Sequence, residues 1–532
     1  MKSAEFRLTY ATMFDPPQRL HDLFDAALEG LLSKLGNEYP LTINGKSVRC
    51  PEKFEDLSPA DDNQILGVFQ QAGAAEAQRA VAAARAAFTV WSKVPWQRRV
   101  ELLRRVAEII RERCFTLAAA LSLSVGKNRM EALGDAAETA DLLDYACDQM
   151  EGHQGFVEEL PRDPLPGLVA HNVSVLRPYG PWLVVSPFNF PCALSGGPAG
   201  AALLAGNTVI VKCASDTPLA PRLLADCFLE AGLPDGAFNF LTGPGDSLGQ
   251  ALSSHPDLAG VTFTGSHGVG MAIHRQWAQG PYVRPVILEL GGKNPAIVTQ
   301  NADLDVAALG VMRSAFGLQG QKCSACSRIY VERPVYAQFV ERLLALTQGL
   351  TMGDPTRRDV YLGPVINRRA QAHYLECCQE LARAGELLCG GVAPDQGEMA
   401  RGSFCAPTLA AQVPQDHPLW RQEMFLPIAL LAPVDDLEQA LALAKDTIYG
   451  LTAGLYGNAQ EARRFFEEME AGVCYANRPT GATTGAWPGM QPFGGCKASG
   501  AAGKNAGGPH YLQLYLREQV RAQIVRSNHA PE

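Results

Sequence analysis

Between residues 181 and 298 the chain carries five short apolar runs: "PWLVVSPFNFP", "GNTVIVKCAS", "GAFNFLTG", "AGVTFTGS" and "PVILELGGKNPAIV". Each is bounded by Gly, Pro, Asn or Ser. Runs of this kind read as strands buried on both faces, which is the condition of a parallel sheet. Parallel neighbours need crossover connections, and helical stretches such as "PLAPRLLADCFLEAG" lie between the runs. The rhythm predicts an α/β fold. It resumes after Cys323 in "SRIYVE", "PVYAQFVERLLALTQGL", "VDDLEQALALAKD" and "LTAGLYG", which predicts a second α/β unit. A chain of 532 residues is also longer than one hydrophobic core usually serves.

Upstream, residues 74–150 show helical periodicity, interrupted near Pro95. At the other end, "HYLQLYLREQVRAQIV" alternates like a strand with no helix to cover it. That pattern predicts an edge strand completed by a partner subunit, and so a homodimer or higher homo-oligomer.

The formal net charge of −9 argues against nucleic acid as a partner. No run of about 18 apolar residues marks a membrane span. The start, "MKSAEFRLTYATMFDPP", lacks a basic segment followed by an apolar one, so the expected localisation is cytoplasmic. The 14 cysteines follow no disulfide framework.

One cysteine pair stands out, Cys323 and Cys326 in "GQKCSACSR". A structural zinc site needs about four ligands, and no second pair joins this one. A redox C-x-x-C follows a strand in a small thioredoxin-like unit, whereas this pair sits in a large enzyme-like chain. Two inert core cysteines remain an option, as does a nucleophile. Three other segments weigh on the choice. "ILELGGKNP" places Glu289 at an apolar strand end, where poor solvation raises a carboxyl pKa and suits a general base. "SPFNFP" places Asn189 between aromatics, where its amide can donate to an oxyanion. "FTGSHGVG" places Gly265 and Ser266 at a strand-to-helix turn, a setting for a phosphate on backbone N–H groups.

Together these motifs resemble the aldehyde dehydrogenase superfamily over nearly the whole chain. "ELGGKNP" and "GQKC" are both present, with Glu289 and Cys323 34 positions apart as in the family, and "PFNFP", "VIVK", "FTGS" and "QEMFLPI" stand in the family order. The resemblance implies a Rossmann-like NAD(P)-binding domain (1–152 and 180–288), an α/β catalytic domain (289–506, with a boundary near 480) and a small β oligomerisation flap (153–179 and 507–532). It makes Cys323 the nucleophile, Asn189 the oxyanion donor and Glu289 the base, and leaves Cys326 a bystander, with no metal involved. It assigns Lys212 to the adenosine ribose, Gly265 and Ser266 to the pyrophosphate, Glu423 to the nicotinamide ribose and Phe425 to the ring. Many NAD-specific members carry an acidic residue three positions after the lysine. Here that position is Ser215, which implies NAD with NADP tolerated. A second departure is Leu426, where the family usually has Gly.

"GQKCSACSR", "PFNF", "TYATMF" and the late "QPFGG" segment are most similar to the Δ1-pyrroline-5-carboxylate dehydrogenase group, which oxidises L-glutamate γ-semialdehyde to L-glutamate. In that group the residue after the nucleophile and a Gly-Ala or Gly-Ser pair hold the amino acid end. The resemblance maps these onto Ser324 and onto Gly481 and Ala482. It places Phe190 and Phe493 beside the aliphatic part, and Asp135 where the group has a glutamate at the amino end. The substrate would come from a separate proline dehydrogenase in transient contact with this chain. Two alternatives are an aldehyde dehydrogenase of different specificity and a catalytically inert relative. Intact Cys323, Glu289 and Asn189 argue against the second.

Overall fold

The computed structural model of the chain describes residues 6–526. Residues 1–5 and 527–532, the outer ends of the segments assigned to the cofactor domain and the flap, lie outside the described residues. Among the described residues, no helix is long and apolar enough to cross a membrane.

Two seven-stranded sheets organise the chain. In the first, the apolar runs form parallel strands in the spatial order Val286–Glu289, Gly260–Thr264, Pro181–Val185, Thr208–Lys212 and Phe238–Leu241. Leu41–Ile43 and Lys46–Val48 extend it antiparallel. Helices such as Ala193–Ala205 and Leu219–Glu230 make the crossovers, and the strands between them are almost wholly buried. Pro181–Val185 is the earliest of the five parallel strands, and later ones lie on both sides of it. The strand order therefore reverses between Pro181–Val185 and Gly260–Thr264. A reversal of this kind opens a crevice at the carboxyl ends of the strands, where ligands bind in open α/β sheets.

The second sheet runs Glu386–Cys389, Thr408–Ala411, Ile428–Val434, Cys326–Glu332, Asn294–Val298, Thr452–Tyr456 and Val473–Ala476. All neighbours are parallel except the first pair. Its strands are likewise apolar and buried, as the sequence rhythm predicts. Leu318 and Gln319, in the loop that leads to Cys323, hold left-handed backbone (φ 49° and 53°). Such conformations cost free energy in non-glycine residues and persist only where the surroundings enforce them.

The C-terminus differs from the expected strand. Tyr511–Tyr515 forms a 3₁₀ turn, and the strand is Leu516–Arg526. Tyr511, Leu512 and Tyr515 are buried in the core beneath the first sheet, and the Tyr511 and Tyr515 hydroxyls bond at 2.8 Å. Polar tips that find partners inside the core win over a five-residue alternation pattern. Leu516–Arg526 pairs antiparallel with Leu168–Pro178 of the same chain, and Val157–Leu160 forms the other edge of that three-stranded sheet.

Candidate active site

The carboxyl ends of the first sheet and the loops that lead into the central strands Cys326–Glu332 and Ile428–Val434 of the second sheet face each other across a groove of about 980 Å³. Its walls include Ser186–Asn189, Lys212, Gly265, Ser266, Glu289, Glu423, Phe425 and Cys323. A smaller cavity of about 110 Å³ approaches from the other side, and Cys323 lines both. A thiol shared by a long groove and a short cavity can meet a cofactor on one side and a substrate on the other.

The two cysteines are physically distinct. Cys326 is 1% exposed and packs in the core of the second sheet. Cys323 is partly exposed. Burial pushes the Cys323 thiol up to about 12, and the Glu423 and Glu289 carboxylates push in the same direction. At rest it is therefore a protonated thiol that needs a base.

The loop around Cys323 is tied from several directions. Asn294 Nδ2 donates to Cys323 O at 2.7 Å and to Ala325 O at 2.9 Å. Lys322 Nζ donates to Glu131 Oε1 at 2.6 Å, and Leu318 N donates to Glu131 Oε2 at 2.8 Å. Thr483 Oγ1 donates to Ser324 O at 2.6 Å. Asn189 Nδ2 donates to Gln321 O at 2.9 Å, which orients the amide and leaves its second N–H for another acceptor.

Glu289 ends the strand Val286–Glu289 and is 8% exposed. Its Oε2 has no hydrogen-bond partner among the described residues, and burial pushes its carboxyl up to about 8. An unpaired buried carboxyl with that pKa is suited to take a proton once the pH reaches that value. Glu423 accepts from Gly292 N at 2.8 Å, and burial pushes it up to about 7. A side chain at Gly291 would collide with the Glu423 carboxylate, so the glycine makes room for it. Leu426 fills the core of the second sheet, and Glu423 still lines the groove. Phe425 packs edge-on against Phe188 at 5.7 Å.

Lys212 ends a buried strand, donates to Cys213 O at 2.9 Å and lines the groove. Ser266 precedes the first turn of the helix His267–Ala278. Free backbone N–H groups at a helix start favour an anion. These residues fit a dinucleotide: a lysine for the ribose, a helix start for the pyrophosphate, and unpaired carboxylate oxygens near the thiol.

Three expectations need correction. The Ser215 hydroxyl donates to Gly243 O at 2.9 Å, and it is Asp216 that lines the groove beside Lys212. Asp135 is fully buried. Its Oδ2 pairs with Lys127 Nζ at 2.9 Å and its Oδ1 accepts from Ala193 N at 2.8 Å. Lys127 in turn sits 3.6 Å over the Phe190 ring, so Asp135 stands behind the cavity wall. The carboxyl that lines the cavity is Glu138, three positions on. Finally, Gly481 and Ala482 do not line the cavity. Ala482 is core, and its N–H is spent on Gly310 O at 3.0 Å. Gly485 and Ala486, the same dipeptide four positions on, line it instead. Neither of their N–H groups has a protein acceptor among the described residues.

Ser324, Phe190 and Phe493 line the cavity as expected from the resemblance. Tyr10, Trp487 and Arg313 also line it and were not singled out by sequence reasoning. The sequence signal for Tyr10 is its place in "TYATMF"; Lys322 and Asn294 lie inside "GQKC" and "ELGGKNP".

The aldehyde dehydrogenase family model matches residues 47–520. The chain belongs to the aldehyde dehydrogenase family. It is 37% identical over 509 residues to the 1-pyrroline-5-carboxylate dehydrogenase of Geobacillus thermodenitrificans, covering 94% of this chain and 96% of that one. The crystal structure of 1-pyrroline-5-carboxylate dehydrogenase from Thermus with bound NAD matches with a TM-score of 0.91 and 34% identity, covering 98% of this chain and all of that one. Proline utilization A from Bdellovibrio bacteriovorus matches with a TM-score of 0.90 and 34% identity over 96% of this chain. The chain spans about half of that longer protein, 52% of its length.

Proposed function

We propose that this aldehyde dehydrogenase oxidises L-glutamate γ-semialdehyde, the open form of Δ1-pyrroline-5-carboxylate, to L-glutamate. The observation that carries the reading is the wall of the short cavity. Ser324 and two unpartnered N–H groups, of Gly485 and Ala486, offer donors for a carboxylate, on a wall that also carries Arg313 and the Glu131-paired Lys322. Glu138 offers an acceptor for an ammonium. Phe190 and Phe493 flank the space between them and Cys323. A neutral aliphatic aldehyde would leave the Gly485 and Ala486 N–H groups and the second Glu138 oxygen without partners.

When bound, NAD supplies the hydride acceptor that aldehyde oxidation requires. Lys212, Gly265, Ser266, Glu423 and Phe425 are the residues that would hold it, with Asp216 disfavouring a second phosphate on the adenosine ribose. The chain's own chemistry begins with loss of the Cys323 thiol proton to a base. The sulfur then adds to the aldehyde carbon, and the oxygen that becomes negative accepts from Asn189 and from the Cys323 backbone N–H. Once the carbon has been oxidised to a thioester, Glu289 takes a proton from water. The resulting hydroxide adds to the carbonyl, and the sulfur leaves as the carboxylic acid forms.

The reading includes a proline dehydrogenase as the source of the substrate and association of at least two subunits. Val520 and Ile524, in register with Ser174 and Ala170, share one face of the three-stranded sheet and are 60% and 51% exposed, apolar side chains that a second copy would cover. Aldehyde panels test the assignment. With NAD, turnover should require both the α-amino and the α-carboxyl group. Faster turnover of succinic semialdehyde than of L-glutamate γ-semialdehyde would refute it.

A further inference from the structure

The segment Thr9–Phe14 belongs to neither sheet, yet Tyr10, Met13 and Phe14 line the substrate side of Cys323. The segment is a tight turn held by its own bonds: Thr12 N and Met13 N both donate to Thr9 O at 3.1 Å. It is docked at both ends. Arg7 pairs with Asp141 at 2.9 Å, and the Arg313 guanidinium lies 3.5 Å over the Phe14 ring.

Tyr10 is the centre of the contact. It is 9% exposed and meets Trp487 edge-on at 5.2 Å and Phe190 at 6.2 Å. Its hydroxyl donates to Glu138 Oε2 at 2.9 Å, which is the one side-chain hydrogen bond Glu138 makes among the described residues. The ring occupies a hollow left by Gly134, where a Cβ would fall 2.6 Å from Tyr10 Cε1. Gly134 lies one turn before Glu138 on the helix Arg129–Gly152, so one helix supplies both the hollow and the carboxylate.

We propose that Tyr10 is a specificity-determining residue of the amino end of the substrate site: its hydroxyl holds the Glu138 carboxylate in the orientation that receives the ammonium, and its ring closes the cavity wall. A lone carboxylate on a long side chain must be ordered when a cation arrives. A phenol already bonded to Oε2 meets that cost in advance and leaves Oε1 free to accept. Burial, aided by the nearby Asp135, pushes the Glu138 carboxyl up to about 8, and the phenol, with Lys127, pulls it back toward the ionised form. The N-terminal turn thereby becomes part of the substrate site. This inference rests on the reading of Glu138 as the ammonium acceptor.

Tyr10→Phe in the full chain tests it, because the ring stays and only the hydroxyl goes. Calorimetry would compare binding of L-glutamate with that of glutarate, which lacks the α-amino group. Affinity for L-glutamate should fall about tenfold, the scale of one hydrogen bond to a charged group, with glutarate binding unchanged. KM for L-glutamate γ-semialdehyde should rise more than kcat falls. Gly134→Ala, which displaces the ring and the hydroxyl with it, should weaken L-glutamate more than glutarate. In a Glu138→Gln background, Tyr10→Phe should add nothing. Equal weakening of both ligands by Tyr10→Phe, or no change in either, would overturn the proposal. Equal affinity of the wild-type protein for the two ligands would instead remove the ammonium role of Glu138, and the proposal with it.

Discussion

Glu131 holds Lys322, the residue before the nucleophile, at 2.6 Å through one carboxylate oxygen, and the Leu318 N–H at 2.8 Å through the other. Both side chains are under 9% exposed. A single carboxylate on the helix Arg129–Gly152 thus ties down both the left-handed turn at Leu318 and the approach to Cys323. Removing one partner of a buried pair leaves an uncompensated charge, which costs about 3–5 kcal/mol. Glu131→Ala should lower stability by that order, measured by chemical denaturation, and lower kcat. The double variant Glu131→Ala/Lys322→Met should recover part of the stability. Strictly additive losses would mean that the pair does not act as a unit.

Cys323→Ala should abolish aldehyde oxidation and leave NAD binding intact, since the side chain is partly exposed and carries chemistry. Cys326→Ala should retain substantial turnover and lose stability by about 1 kcal/mol, the cost of a small cavity. Steady-state assays with NAD titrations by fluorescence check both. Activity lost in the second variant and kept in the first would invert the assignment.

Glu289 controls a pH dependence whose sign follows from its raised pKa. Below about 8 its carboxyl is protonated and cannot accept a proton from water. As pH rises through that value the base form appears, so kcat should rise along an acid limb centred near 8. Glu289→Gln should erase the limb and slow thioester hydrolysis by about 10²–10⁴-fold. A wild-type profile already flat from pH 6 to 9 would remove Glu289 as the rate-controlling base.

Cofactor choice should follow Asp216 rather than Ser215. Asp216→Asn should raise kcat/KM with NADP relative to NAD by about tenfold, by removing a carboxylate from the groove wall. Ser215→Ala should leave the ratio near its wild-type value, because that hydroxyl is turned to Gly243 O. The opposite ranking of the two variants would contradict the groove geometry.

The parallel strands and the residues at their ends were legible because short apolar runs and glycine-rich turns are local signals. Cys323, Glu289, Asn189, Lys212 and Ser266 all stand at such ends or turns. Choices between near neighbours were not legible. "TGATTGAW" contains two Gly-Ala pairs, and only the bond from Ala482 N to Gly310 O shows which pair is buried. Asp135 and Glu138 lie one turn apart on one helix, and spacing alone brings both to the same side. Packing separates them: Lys127 and Ala193 N consume both oxygens of Asp135. Tyr10 was out of reach for another reason, since its partner Glu138 is 128 positions away in the sequence.

The most direct test of the account is a crystal structure with L-glutamate, the product, at the active site. The account predicts the α-carboxylate against Ser324 Oγ and the Gly485 and Ala486 N–H groups, the ammonium on Glu138, and the γ-carboxylate beside Cys323. An α-carboxylate bound at Gly481 and Ala482, or an amino group turned away from Glu138, would contradict it.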